Sequence, residues 1–193
     1  MASHRKSANS RATNQPPASS WFSHNRAVFR FGLTFSAVTL LYYVVALLPW
    51  VDRELFPAYL RANAYISSAI LNFLGQSCHV VDTTIRSPQF AITIKRGCDA
   101  LEPSWLFCAA VLAYPATWSR RLLGMSIGVT VILALNLVRI VSLYFLGIHL
   151  PSIFEAIHLE VWPVIFILVA LLLWIRWITT GRPNDTASTN VAA

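Results

Sequence analysis

Apolar residues gather in long blocks along this chain, and its polar residues collect between them. Four blocks are long enough and poor enough in charge to predict membrane-crossing helices: residues 30–50, 100–118, 122–146 and 154–177. A fifth block, 56–74, is interrupted by Arg61 and Asn63. Around it Leu55, Phe56, Tyr59, Leu60, Ile66, Ile70, Phe73 and Leu74 recur at roughly helical spacing, the pattern of a helix lying in the membrane interface. Beyond this helix the period changes to two. Residues 76–86 and 89–95 alternate with β-branched side chains, as HVVDTTI and FAITI, and Ser87 and Pro88 split them, which predicts a hairpin. Its second strand ends at Arg96, Gly97 and Cys98, so the hairpin delivers a thiol to the mouth of the next helix.

Composition agrees with the blocks. At 56% hydrophobic and 12% charged residues, with a mean hydropathy of +0.57, the 193-residue chain is far more apolar than a soluble domain. It reads as one membrane domain over 30–178, preceded by a disordered, Ser-, Ala-, Asn- and Pro-rich tail over 1–29 and followed by a short tail over 179–193. The net charge of +7 does not point to nucleic acid, because the basic residues flank the apolar runs instead of lining one helix or patch. Arg5, Lys6, Arg11, Arg26 and Arg30 precede or open the first block, Arg120 and Arg121 fill the turn between the second and third, and Arg176 and Arg182 mark the last block's end. The positive-inside rule makes all three segments cytoplasmic. Termini on one side require an even number of spans. The expected fold is therefore all-α integral membrane, with about four transmembrane helices, one interfacial helix and a small exoplasmic β-hairpin. The Arg-rich, acid-free tail also has the composition of a transit peptide, but the charge pattern accounts for it together with the other segments.

Within this frame Cys98, Arg139 and His158 fall at helix ends that share the outer face. A thiol, a guanidinium and an imidazole are the nucleophile, anion stabiliser and base of acyl transfer. Gly97 allows close approach to Cys98, while Lys95, Arg96 and a helix start at residues 99–103 favour a thiolate. Asp99 and Glu102 have capping-box spacing. Arg139 lies within VILALNLVRIVSLYFLGI, and Asn136 and Ser142, three residues to either side, extend a polar stripe, the mark of a bundle-facing site rather than a snorkelling side chain. His158 stands one turn into the fourth block, and Glu155, three residues before it, is close enough to fix the ring tautomer. His149 falls in the turn GIHLPS and His79 in the hairpin, positions that need no special role.

Alternatives remain at this stage. Cys78 and Cys98, at the hairpin's two ends, are a candidate disulfide in an oxidising compartment. Cys108, about 15 Å into the second block, reads as packing. Arg139 and His158 could instead pair with Glu155 and Glu160 in a non-catalytic membrane subunit or small transporter. HExxH, CxxC and phosphate-loop motifs are absent from the sequence, so no metal or cofactor is expected.

The runs RGCDALEPSWLFCAAVLAYP, LNLVRIVSLYFLGIHLPSIF and EAIHLEVW, with the Arg-Arg turn between the first two, resemble the exosortase and archaeosortase family over about residues 30–178, most closely its exosortase H type. The resemblance implies a membrane cysteine protease or transpeptidase, with Cys98 as nucleophile and Arg139 and His158 as its partners. Many relatives have Ser-Gly or a small pair after the cysteine, where this chain has Asp99 and Ala100. The implied partners are exported proteins bearing a C-terminal signal of short motif, transmembrane helix and basic cluster. The implied location is the bacterial plasma membrane, in contact with membrane lipid, with the site at the exoplasmic face.

Overall fold

A computed structural model describes residues 25–180, so the expected tails lie almost wholly outside the described residues. Three helices among these residues are long and apolar enough to cross a membrane: α1 (Arg26–Ala46), α4 (Trp118–His149) and α5 (Pro151–Thr179). Between the first two lie α2 (Phe56–Phe73), three short strands and α3 (Leu101–Ala113). The block expected to span at 100–118 thus forms a helix of 13 residues. At 1.5 Å per residue that is about 20 Å, short of a hydrocarbon core of about 30 Å. Proline explains the stop, because Tyr114 precedes Pro115 and is driven out of the helical region, to φ −80° and ψ 136°.

Helix α4 is the centre of the bundle. Its buried residues Gly124, Gly128, Ile132, Asn136, Arg139, Ile140, Leu143 and Tyr144 lie three or four apart along one stripe and form a single face. Three glycines let neighbours approach it closely. A Cβ at Gly124 would collide with the Trp177 ring, at Gly128 with Phe107, and at Gly147 with Phe90, so α5, α3 and the sheet each seat an aromatic ring on a bare stretch of α4. At about 48 Å long, α4 outreaches the hydrocarbon core by roughly a dozen residues. Helix α1 buries none of its residues and is tied to α3 by Trp105 Nε1 donating to the Val38 carbonyl at 2.8 Å and Tyr43 Oη donating to Glu102 Oε1 at 2.6 Å.

The basic segments meet at one end of the molecule. Arg120 donates to the carbonyls of Trp177 and Ile178 near the end of α5, Arg121 donates to the Tyr114 carbonyl, and Arg30 on the first turns of α1 lines a cavity with Pro115 and Arg121. The sheet and Cys98 occupy the other end, which α1 reaches through the Tyr43–Glu102 bond at the start of α3.

Helix α2 begins as expected and turns much of its apolar stripe outward. Phe56 and Leu60 face inward, whereas Leu55, Ile66, Phe73 and Leu74 are exposed. Further along, the inward face is small or polar at Asn63, Ala64, Ser67 and Ser68 before Leu71 closes it. Asn63 receives a hydrogen bond from Asn136 Nδ2 at 3.3 Å, so α2 and α4 meet through buried amides.

The sheet is larger than a hairpin. Strands β1 (His79–Val81), β2 (Thr84–Arg86) and β3 (Ala91–Thr93) form an antiparallel sheet in that order. The single strand expected over 76–86 is itself a hairpin, with Val81 opposite Thr84 and the turn made by Asp82 and Thr83. Asp82 takes the left-handed conformation, φ +56°, which a short polar side chain tolerates. The second turn falls at the expected Ser87, whose Oγ accepts from the amides of Gln89 and Phe90. One apolar cluster joins this sheet to α2 and α4 through Leu60, Leu71, Ile85, Ile94, Ile140 and Tyr144. A second, built on Phe107, Ile132, Leu143, Trp162 and Phe166, joins α3, α4 and α5, and Ile92 of β3 packs against both.

Candidate active site

The segment carrying Cys98 is held on both sides. Gly97 and Ala100 both have positive φ, +84° and +58°, so the chain reverses twice around the thiol. Only Gly97 takes that conformation freely, and Ala100 holds it at a steric cost of about 1 kcal/mol. Arg96 pairs with Asp52 and lies over the Phe56 ring at 4.1 Å, while Tyr59 Oη donates to the Asp99 carbonyl at 2.7 Å. Helix α2 and the turn before it therefore clamp the residues flanking Gly97 and Cys98. The expected capping box does not form. Asp99 caps the Leu101 amide at 3.1 Å, but Glu102 turns to Tyr43, and the N-cap position falls on Ala100.

From α4 comes Arg139, 6% exposed, whose Nη1 donates to the Gly97 carbonyl at 3.3 Å. Its Nη2 reaches Cys98 Sγ at 3.7 Å and the His158 carbonyl at 3.4 Å. Asn136 shares the buried face of α4 with it, but Ser142 does not extend a free polar stripe, since its hydroxyl donates to the Arg139 carbonyl one turn back.

His158 sits in a π turn, Ile157–Val161, within α5. The amide of Trp162 bonds back five residues to Ile157, and the residue five beyond His158 is Pro163, which has no N–H. The His158 carbonyl is thereby released from the helix and accepts Arg139 instead. The same device recurs at Val51–Leu55, where Pro57 stands five residues beyond Asp52 and the Asp52 carbonyl accepts Arg96 at 3.4 Å. Two proline-linked π turns thus receive the two arginines that bracket the thiol segment. Pro163→Ala should restore a donor to the helix and re-aim His158. The expected result is a fall in turnover of about tenfold or more with normal accumulation in the membrane, since small misplacements of reacting groups are costly. Unchanged turnover would show that the π turn does not position the imidazole.

These elements bring the three sequence-nominated residues together. Cys98 Sγ lies 2.8 Å from His158 Nε2. A cavity of about 310 Å³ opens onto Cys98, Arg139 and His158, and is walled by β3, Ile140, Leu143 and Phe154. His149 is exposed at the end of α4 and does not line it. Cys78 and Cys98 are both free, Cys78 being buried in the cluster beneath the sheet. Glu155 makes no hydrogen bond to His158 among the described residues; the imidazole is flanked instead by the Phe154 ring, 5.7 Å between centroids.

The expected thiolate bias is reversed. Burial pushes the Cys98 thiol above its ordinary pKa, Arg139 opposes that shift, and Asp99 adds to it. Arg96 is engaged with Asp52 and Phe56, which leaves Arg139 as the main cation acting on the sulfur. A thiol so placed needs a base in contact to ionise it.

A polytopic helical chain with thiol, imidazole and guanidinium around one cavity defines a class: multi-pass membrane proteins with a polar cluster at the mouth of a helix bundle. The model of the transmembrane exosortase (EpsH) family matches residues 18–175, and the chain belongs to the exosortase family. No curated protein and no solved structure matches it.

Proposed function

We propose that this exosortase is a membrane cysteine peptidase or transpeptidase that cleaves exported proteins at a C-terminal signal of short motif, transmembrane helix and basic cluster. The contact that carries this reading is the 2.8 Å approach of Cys98 Sγ to His158 Nε2 beside Arg139. His158 takes the thiol proton as the sulfur attacks the scissile carbonyl carbon. Arg139 stabilises the oxyanion of the tetrahedral intermediate. Collapse breaks the C–N bond, the imidazolium returns its proton to the leaving amine, and a thioester remains on Cys98. Water or an acceptor amine then attacks that carbonyl, giving up a proton to His158, and the thiol is regenerated as acid or amide product is released.

On this reading the short helix α3 completes a fourth pass and the basic end lies in the cytoplasm of a bacterium, so the cavity opens at the exoplasmic face of the plasma membrane. A substrate anchored by its own helix, with its basic cluster inside, presents its motif at that level. The motif expected from the exosortase H resemblance is of the Ile-Pro-Thr-Leu type.

Cleavage of a coexpressed exported reporter carrying such a signal tests the reading through its size shift. His158→Ala should lower cleavage by about 10² or more, while His149→Ala stays near wild type. The reverse ranking would move the base to the turn after α4.

A further inference from the structure

Among the described residues, strand β3 is the last in the sheet order and pairs with β2 along one edge only. The Phe90 carbonyl bonds to the Ser87 amide and the Ile94 amide to the Thr83 carbonyl, so residues 90, 92 and 94 point their backbone groups at β2. In an antiparallel ladder the alternate residues point the other way, which turns the N–H and C=O groups of Ala91 and Thr93 to the free edge. Every residue from Phe90 to Lys95 lines the cavity that contains Cys98. A cavity lying on one face of a strand would touch alternate residues, so this one runs along the strand's edge.

We propose that the free edge of β3 binds the substrate as an added fourth strand, holding an extended peptide of about 10 Å beside Cys98. This rests on the peptidase reading above and names how that site takes its substrate. The occupant is a neutral, apolar-sided peptide segment. Phe90, Ile140, Leu143 and Phe154 supply an apolar wall, and besides Cys98 the charged or titratable side chains along the lining are Lys95, Arg139 and His158, with no carboxylate to receive a basic side chain. Backbone bonds to Ala91 and Thr93 fix register without reading sequence, while the wall selects side chains that alternate toward it. The strand leads through Lys95 and Arg96 directly into Gly97 and Cys98, so register on the strand sets which carbonyl meets the sulfur.

Ala91→Pro removes one free-edge N–H without removing a bond to β2, because Ala91 stands opposite Arg86 in a non-bonded pair. Reporter cleavage should fall about tenfold, the effect of one lost backbone bond. Alkylation of Cys98 by iodoacetamide in the same membranes should stay within about threefold of wild type, as for a change that leaves the thiol's contacts intact. Ala91→Val, which keeps the N–H, should retain more cleavage than Ala91→Pro. Equal cleavage by wild type and Ala91→Pro overturns the strand addition alone, whereas no cleavage by wild type overturns the peptidase reading itself. If Ala91→Pro loses accumulation or alkylation, the decision passes to wild-type enzyme in detergent and a synthetic peptide covering the reporter's motif and helix. Single N-methyl groups walked along the motif should then cut cleavage at alternate residues, and loss without a two-residue period overturns the proposal.

Discussion

Cys98→Ala should abolish reporter cleavage, by about 10⁴-fold or more, as loss of a covalent nucleophile does. The variant should still accumulate in the membrane. Cys98 is half-buried, and its side chain's polar contacts are His158 and Arg139, so removing the sulfur opens little of either apolar cluster. The segment's other anchors, Arg96 on Asp52 and Tyr59 on the Asp99 carbonyl, stay in place. A small transporter or non-catalytic subunit built around Arg139 would tolerate the same substitution. Undiminished cleavage in Cys98→Ala would therefore favour that class over the proposed one.

Arg139→Lys should insert normally yet lose most of its activity, about 3 kcal/mol, the effect of removing one oxyanion donor. A guanidinium presents two parallel donors on a planar fork, and here the fork spans the Gly97 carbonyl, Cys98 Sγ and the His158 carbonyl at once. Lysine keeps the charge but cannot span them. Thiol titration separates the two properties. Arg139 lowers the Cys98 pKa against burial, so Arg139→Leu should move the midpoint of iodoacetamide alkylation to higher pH and slow the reaction at neutral pH. Arg139→Lys should leave that midpoint near wild type while cleavage is lost. Full cleavage in Arg139→Lys would mean that positive charge alone suffices, and full cleavage in Arg139→Leu would remove the residue from the mechanism.

The long apolar blocks announced α1, α4 and α5 because a bilayer demands length and low charge, and no soluble fold makes the same demand. The candidate site residues stood out for a related reason. Arg139 inside an apolar helix and a cysteine after Gly97 are costly or unusual where they stand, and the structure gathers them with His158 around one cavity. What stayed hidden depends on backbone geometry that side-chain patterns do not encode. β-Branched residues flank Asp82 on both sides in VVDTTI, so the turn there looked like strand. Asp99 and Glu102 had the spacing of a capping box, yet Ala100 adopts a left-handed conformation and Glu102 pairs with Tyr43. Lys95 and Arg96 promised an ionised thiol, but Arg96 faces Asp52 and burial dominates at the sulfur. The π turn that carries His158 did have a signal, Pro163 five residues on, and Pro57 repeats it after Asp52.

The central claim is a thioester on Cys98, and the direct measurement is mass spectrometry of enzyme coexpressed with the reporter and quenched in acid. The mechanism predicts a Cys98-containing peptide enlarged by the reporter's new C-terminal segment, released by neutral hydroxylamine and missing from Cys98→Ala. An adduct on Cys78, Cys108 or a hydroxyl side chain, or cleaved reporter accumulating in Cys98→Ala, would contradict it.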